Sequence, residues 1–316
     1  MSIKPQFESY HYVGEICCLK AQSIVECRLP GSEISNILAV YAKAIPSECA
    51  CSDGEVQYSG KVLLCIVYED GARKICRAER GVEFFHKAEN GLITPACFAK
   101  GVYNAENITW RREGSGLYIS VIVGAELTIF GGKQIEYLSG GEGMVCQQEG
   151  LSICKTVCVS GEQEGEDAFD SDYVGDVLMH SVATIVNHVA ANDGQVEIEG
   201  EMALGICVLR ADESVCTYER LIPFRMQVPA DEAFGSAHAD VKICVKDAHL
   251  TAHTDEESGK SKMLFTYSLS ADCFLYIKEE LACISDAFCV SSEMEQKKKK
   301  VNGLYQLMLK SQKINV

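Results

Sequence analysis

Seventeen cysteines and seven histidines are the residues of this 316-residue chain best equipped for metal binding, nucleophilic attack or crosslinking. A zinc site needs such residues in clusters at ligand spacing. The tightest groupings are Cys17-Cys18, Cys49-x-Cys51 and Cys154-x3-Cys158. None is a CxxC pair, and none has a second pair at zinc-finger distance. On a strand, Cys49 and Cys51 share a face, as do Cys154 and Cys158. That geometry permits a metal or a crosslink and requires neither. The six cysteines Cys17, Cys18, Cys49, Cys51, Cys154 and Cys158 are therefore candidate crosslinking positions. Cys65, Cys207, Cys244 and Cys273 lie in apolar alternating stretches and read as small buried hydrophobes. His249 and His253 stand four apart in "HLTAH". On a helix this spacing suits a metal, but the HExxH glutamate is missing and the surroundings read as strand or loop, so they are read as surface histidines. There is no GxSxG elbow for a serine nucleophile and no GxxxxGK[ST] loop for phosphates. No catalytic residue, metal ligand or cofactor is assigned, and a non-enzymatic chain is expected.

Charge narrows the partners. The net charge of −16 repels nucleic acid and anionic lipid. The last 26 residues run the other way, with six Lys and two Glu, leaving about −20 on the rest. Lys297, Lys298, Lys299 and Lys300 precede a segment with a short helical apolar pattern, and they are candidate docking residues for an acidic partner or for this chain's own acidic body. No apolar run reaches the ~20 residues of a membrane span. The opening "MSIKPQFESYHYVGE" has no apolar core like that of a signal peptide, so synthesis in the cytosol is expected. There, cysteines begin as thiols.

The elements that must position these residues come from a repeat. "DGEVQYSG" at Asp53 returns as "DGQVEIEG" at Asp193. Residues 53–88 laid on 193–228 without a gap match at ten of 36 positions. Chance gives about two or three. A period near 140 is the size of a domain, not of a solenoid unit. The copies are read as Met1–Cys146 and Gln147–Val290, with Ser291–Val316 a basic tail. Residues 119–129 and 265–275 each alternate apolar and polar for a dozen positions, the mark of a long half-buried strand. Strands every 8–12 residues with Gly-rich turns predict an all-β fold of two tandem sandwiches or open barrels with sparse short helices. One such helix of one or two turns is expected at "PGSEISNILAVYAK", where Ile34, Ile37, Leu38 and Tyr41 fall at helical spacing. "SGEQEGEDAFDSDYVGD" in the second copy reads as an acidic surface loop. Glu79-Arg80 and Glu219-Arg220, present in both copies, read as cross-strand ion pairs. Trp110 and Phe84-Phe85 read as core, with partner anchoring the other use.

The order of these features resembles the SPOCS domain of bacterial spore-envelope proteins. The resemblance rests on "LPG" at Leu29–Gly31, "ILAV" at Ile37–Val40, the Gly60 and Gly200 strands, "YEDG" at Tyr68–Gly71, "IPF" at Ile222–Phe224 and "SDAF" at Ser285–Phe288. Two copies span nearly the whole chain. The resemblance implies a non-catalytic interaction module made in the mother cell and deposited on the forespore envelope. Its implied partners are spore-coat morphogenetic proteins or further copies of itself. In a relative with this domain, a C-terminal LysM module contacts a coat-scaffold ATPase. The tail here is too short for LysM, so that contact does not carry over. Two other readings stay open: a thiol- or metal-dependent binding protein or enzyme, and a carbohydrate- or peptidoglycan-binding β module.

Overall fold

The computed structural model describes residues 4–30, 34–114, 116–171, 175–235, 237–255 and 260–289. Among them every regular element is a strand. The first six are β1 (Lys4–Pro30), β2 (Ile34–Ser52), β3 (Glu55–Asp70), β4 (Ile75–Glu89), β5 (Phe98–Glu113) and β6 (Gly116–Glu142). The second six are β7 (Val145–Ser171), β8 (Gly175–Asn192), β9 (Gln195–Arg210), β10 (Val215–Pro229), β11 (His238–Asp255) and β12 (Lys260–Phe288). They form four antiparallel three-stranded sheets, ordered β1-β6-β5, β2-β3-β4, β7-β12-β11 and β8-β9-β10. The second pair of sheets repeats the topology of the first, strand for strand. Each pair closes over its own core, so the chain is two sandwich-like units in tandem.

Alternation makes the central strands. On β9, Val196, Ile198, Met202, Leu204, Ile206 and Val208 face inward and are essentially inaccessible to water. Each such side chain contributes roughly 1.5–3 kcal/mol through burial. The strand prolines Pro5, Pro30, Pro46, Pro223 and Pro229 all lie on edge strands, where a missing N–H breaks no inner ladder.

The repeat extends to single hydrogen bonds. Gly54 N donates to Ile93 O at 3.0 Å and Asn90 N to Gly54 O at 2.9 Å. In the second unit Gly194 N donates to Ala233 O at 3.0 Å and Ala230 N to Gly194 O at 2.8 Å. Gly54 and Gly194 both have φ of 77°, which only glycine adopts freely. The bulges recur as well: between Pro46 and Cys49 on β2 and between Val186 and His188 on β8.

Two expectations are corrected. Residues 34–41 are strand, not helix. Register shifts between Ile34 and Asn36 and between Ile37 and Ala39 each insert a residue. Two bulges in six residues stretch a period of two toward three or four and so imitate helical spacing. The inserted Leu38 is accordingly exposed at 46%. The acidic stretch from Ser160 to Ser171 is also strand, the end of β7 paired to β12. Glu162, Glu164 and Glu166 alternate outward while Gly161, Gln163 and Gly165 are partly covered.

The units meet along the outer face of β6 and β12. Phe130 stacks on Phe98 and on Phe274, with 5.3 Å between centroids in each case. Lys100 Nζ lies 2.6 Å from Asp272 Oδ1 and 2.8 Å from Ser160 Oγ. Arg77 reaches Val177 O at 2.7 Å, and Lys246 reaches Pro46 O at 2.9 Å.

Beyond the sandwiches, two ribbons continue. β5 stops pairing with β6 at Phe130, so residues 131–142 of β6 pair with β1 alone. Past Tyr276, β12 pairs with β7 alone. The ribbons touch through a hydrogen bond from the Tyr10 hydroxyl to Glu279.

Candidate functional site

Three places gather chemically capable side chains: a thiol cluster in the first sandwich, a cleft between the units, and the ribbons. In the thiol cluster, Cys49 and Cys51 alternate with exposed Ala50 on β2 and face inward opposite Tyr58 and Val56. Across the sandwich, Cys17 sits beside Ile129 on the inner face of the β1–β6 pair. Cys97 closes the loop before β5. A side chain at Gly131 would begin 2.9 Å from Cys97 Sγ, so the glycine makes room for that sulfur. All four thiols border the first core. Cys97 was not among the sequence candidates, because nothing at its own position signals that the loop folds back beside Cys51.

The remaining sequence candidates lie elsewhere. Cys18 points outward and is exposed. Cys154 is buried and Cys158 half-buried, on the face of β7–β12 turned toward the first unit. There burial pushes the Cys158 thiol up to about 11. The structure thus brings Cys17, Cys49 and Cys51 together and keeps Cys18, Cys154 and Cys158 apart from them. Lys297, Lys298, Lys299 and Lys300 lie outside the described residues.

The cleft, of about 850 Å³, opens between β2 and β5 of the first unit and β8 and β11 of the second. Lys43, Lys100, Lys242 and Lys246 line it, with Asp272, Glu48 and Glu162. Burial lowers the Lys43 pKa, opposed by Cys244 and Asp247. The other lysines are used structurally: Lys100 binds Asp272, Lys246 caps the Pro46 carbonyl, and Lys242 stands over the Phe274 ring at 5.5 Å. Cys49 Sγ lies 3.2 Å from the Tyr103 hydroxyl. Burial raises the Cys49 pKa. An activated thiol needs the opposite shift. Every cysteine with a resolved shift moves upward, burial being the first cause, from Cys17 and Cys51 to Cys65 and Cys273. Among the described residues no group of three or more His, Cys, Asp or Glu stands as a metal cage. His249 is exposed and 3.0 Å from Asp247 Oδ2.

The paired Glu-Arg motif works differently from expectation. Arg220 does not pair with Glu219. It crosses the sandwich to Asp167 on β7, with Nε 3.0 Å from Oδ2, and lies over the Phe169 ring at 4.3 Å. Arg80, its counterpart, interacts with Cys27 on β1. Both arginines bridge the two sheets at the same edge of their sandwich.

The ribbons and edge strands carry most of the large apolar residues that are exposed among the described residues. Phe7 is 59% exposed, Phe288 58% and Phe85, on β4, 65%. Trp110 lies on β5 at 48%. Among the described residues no helix is long and apolar enough to cross a membrane. No family model matches the chain, and no curated protein matches it.

Proposed function

We propose that the chain is a non-catalytic structural and interaction protein that works in assembly of the bacterial endospore envelope. The observation that carries the interaction role is the pair of two-stranded ribbons. A two-stranded ribbon is marginal in water by itself. Here each one extends past the sandwich, leaves both long edges without a strand partner among the described residues, and exposes Phe7 or Phe288. Open edges with apolar side chains are suited to accept a strand from another chain. The upward shifts of the thiols and the structural use of the cleft lysines fit a scaffold better than a reaction centre.

The spore-envelope setting rests on the resemblance to SPOCS domains. On that reading the protein is made in the mother cell, settles on the forespore surface and binds coat morphogenetic proteins or its own copies. A fluorescent fusion in a sporulating host tests the setting: a shell around the forespore is expected, and diffuse signal throughout sporulation contradicts it. Pull-down from the same cells tests the ribbons. Phe7→Asp and Phe288→Asp together should lose the captured coat proteins while the unfolding midpoint stays unchanged. Undiminished capture rules the ribbons out.

A further inference from the structure

Four inward cysteines of the first sandwich, Cys17, Cys49, Cys51 and Cys97, have aliphatic counterparts in the second, while a fifth, Cys27, corresponds to Asp167. Strand register fixes the equivalences. Cys49 and Cys51 oppose Tyr58 and Val56, while Val189 and Ala191 oppose Ile198 and Val196. Cys17 opposes Ile129, and Val157 opposes Leu275. Cys97 and Ala237 each precede the strand that pairs with Phe130 or Tyr276. Thus one backbone holds sulfur at all four positions in one unit and Val, Ala, Val and Ala in the other. Packing alone is satisfied by the aliphatic set.

The backbone brings two of these sulfurs to one junction. Cys51 lies just ahead of the Asp53-Gly54 turn. The loop carrying Cys97 is tied to that turn by the Gly54 N to Ile93 O and Asn90 N to Gly54 O bonds. Cys97 N donates to Thr94 O at 2.9 Å, and Cys97 Sγ lies 3.4 Å from Thr94 Oγ1. Gly131 leaves room for the sulfur, which a Cβ there would meet at 2.9 Å. After burial, the Cys97 charge is the largest influence raising the Cys51 pKa, ahead of Cys49 and Cys17. Cys97 sits between exposed Ala96 and Phe98, which gives reagents in solution a route to it.

We propose that Cys51 and Cys97 are an oxidation site that forms an intramolecular disulfide between the two sheets of the first sandwich, with a low-molecular-weight disulfide as oxidant. The Cys97 thiolate attacks one sulfur of the oxidant, its S–S bond breaks, and one thiol leaves after taking up a proton. The Cys51 thiolate then displaces the second thiol from the Cys97 sulfur. The protein loses two protons and two electrons, and the oxidant, taking up both, becomes two thiols. The new bond joins β2 to the start of β5 and so adds a covalent tie between sheets otherwise joined by packing and a few side-chain hydrogen bonds. A crosslink of this kind limits the unfolded chain and raises stability. The second unit has no counterpart, so oxidation stiffens one half only.

The full-length protein, purified reduced, is incubated with oxidised glutathione, alkylated, digested without reductant and mapped by mass spectrometry. The expected result is a Cys51–Cys97 linked peptide in the monomer and an upward shift in an unfolding transition. Cys97→Ala and Cys51→Ala reproduce residues that the second unit already carries at Ala237 and Ala191. Each should fold, lack the link and show no shift. Cys97 still open to alkylation after oxidation, or joined to Cys17, to any other cysteine or to another chain, overturns the proposal. The wild-type map alone decides this if a variant fails to fold.

Discussion

At the scale of single residues, Gly60 and Gly200 show why the two copies keep the same letters. A side chain at Gly60 would begin 2.4 Å from Ile45 O and 2.7 Å from Phe84 Cζ. At Gly200 the distances are 2.3 Å to Ile185 O and 2.7 Å to Phe224 Cζ. In both units an inward phenylalanine covers a glycine beside a β-bulge, so four of the repeated residues are explained by one contact. Gly60→Ala or Gly200→Ala should cost about 1–3 kcal/mol by overpacking, read from denaturant midpoints. Gly132→Ala, with nothing within 4 Å, should stay within about 0.5 kcal/mol of wild type. The arginine bridge is a weaker tie, since Arg220 and Asp167 keep 39% and 29% of their side-chain surface. Arg220→Ala should cost about 1 kcal/mol or less. The sequence marked this arginine as shared by both copies, but its partner belongs to a strand more than fifty positions away. Adjacency in the chain suggested Glu219 instead.

At the scale of elements, legibility follows pairing regularity. The Leu117–Ile129 and Phe265–Leu275 stretches pair without a register shift against β1 and β7, and the bulges opposite them lie on β5 and β11, so their own period of two is plain. β2 carries three register shifts, and its residue spacing imitates part of a helix. The end of β7 looks like a loop in sequence because its outward acids and inward glycines lack the apolar residues that usually announce a strand. Glycine suffices on that face because Val228 and Tyr267 fill the space over Gly161 and Gly165. Far-UV circular dichroism of the folded domains should therefore lack the helical double minimum, and a strong 222 nm band would contradict the all-strand reading of β2. Among the site residues, Cys49 and Cys51 were legible as a shared face, and Cys17 as a candidate. Cys97 was not, because its position depends on a loop anchored to Gly54.

At the scale of the molecule, the contact between units makes stability respond to alkali. Cys65 Sγ donates to Leu178 O at 3.7 Å, and Cys158 lies near Lys100 and Asp272. Burial raises both thiols from the usual 9.0 to about 11. The neutral thiol is thus favoured in the folded state. Its contribution is complete below pH 9 and is lost as pH rises through about 11. The thermal midpoint should hold steady from pH 7 to 8.5 and then fall, and Cys65→Ala with Cys158→Ala should flatten that fall. An unchanged midpoint at pH 11 would contradict the assignment.

Two units of one topology also predict two matching sets of protected amides. Hydrogen exchange on the full chain, resolved by peptide, tests this most directly. Slow exchange is expected in β3, β9 and the three-stranded parts of β6 and β12, recurring about 140 residues apart, with fast exchange in the ribbons at 4–12 and 280–288. Protection confined to one half, or maxima out of step between the halves, would contradict the two-unit fold.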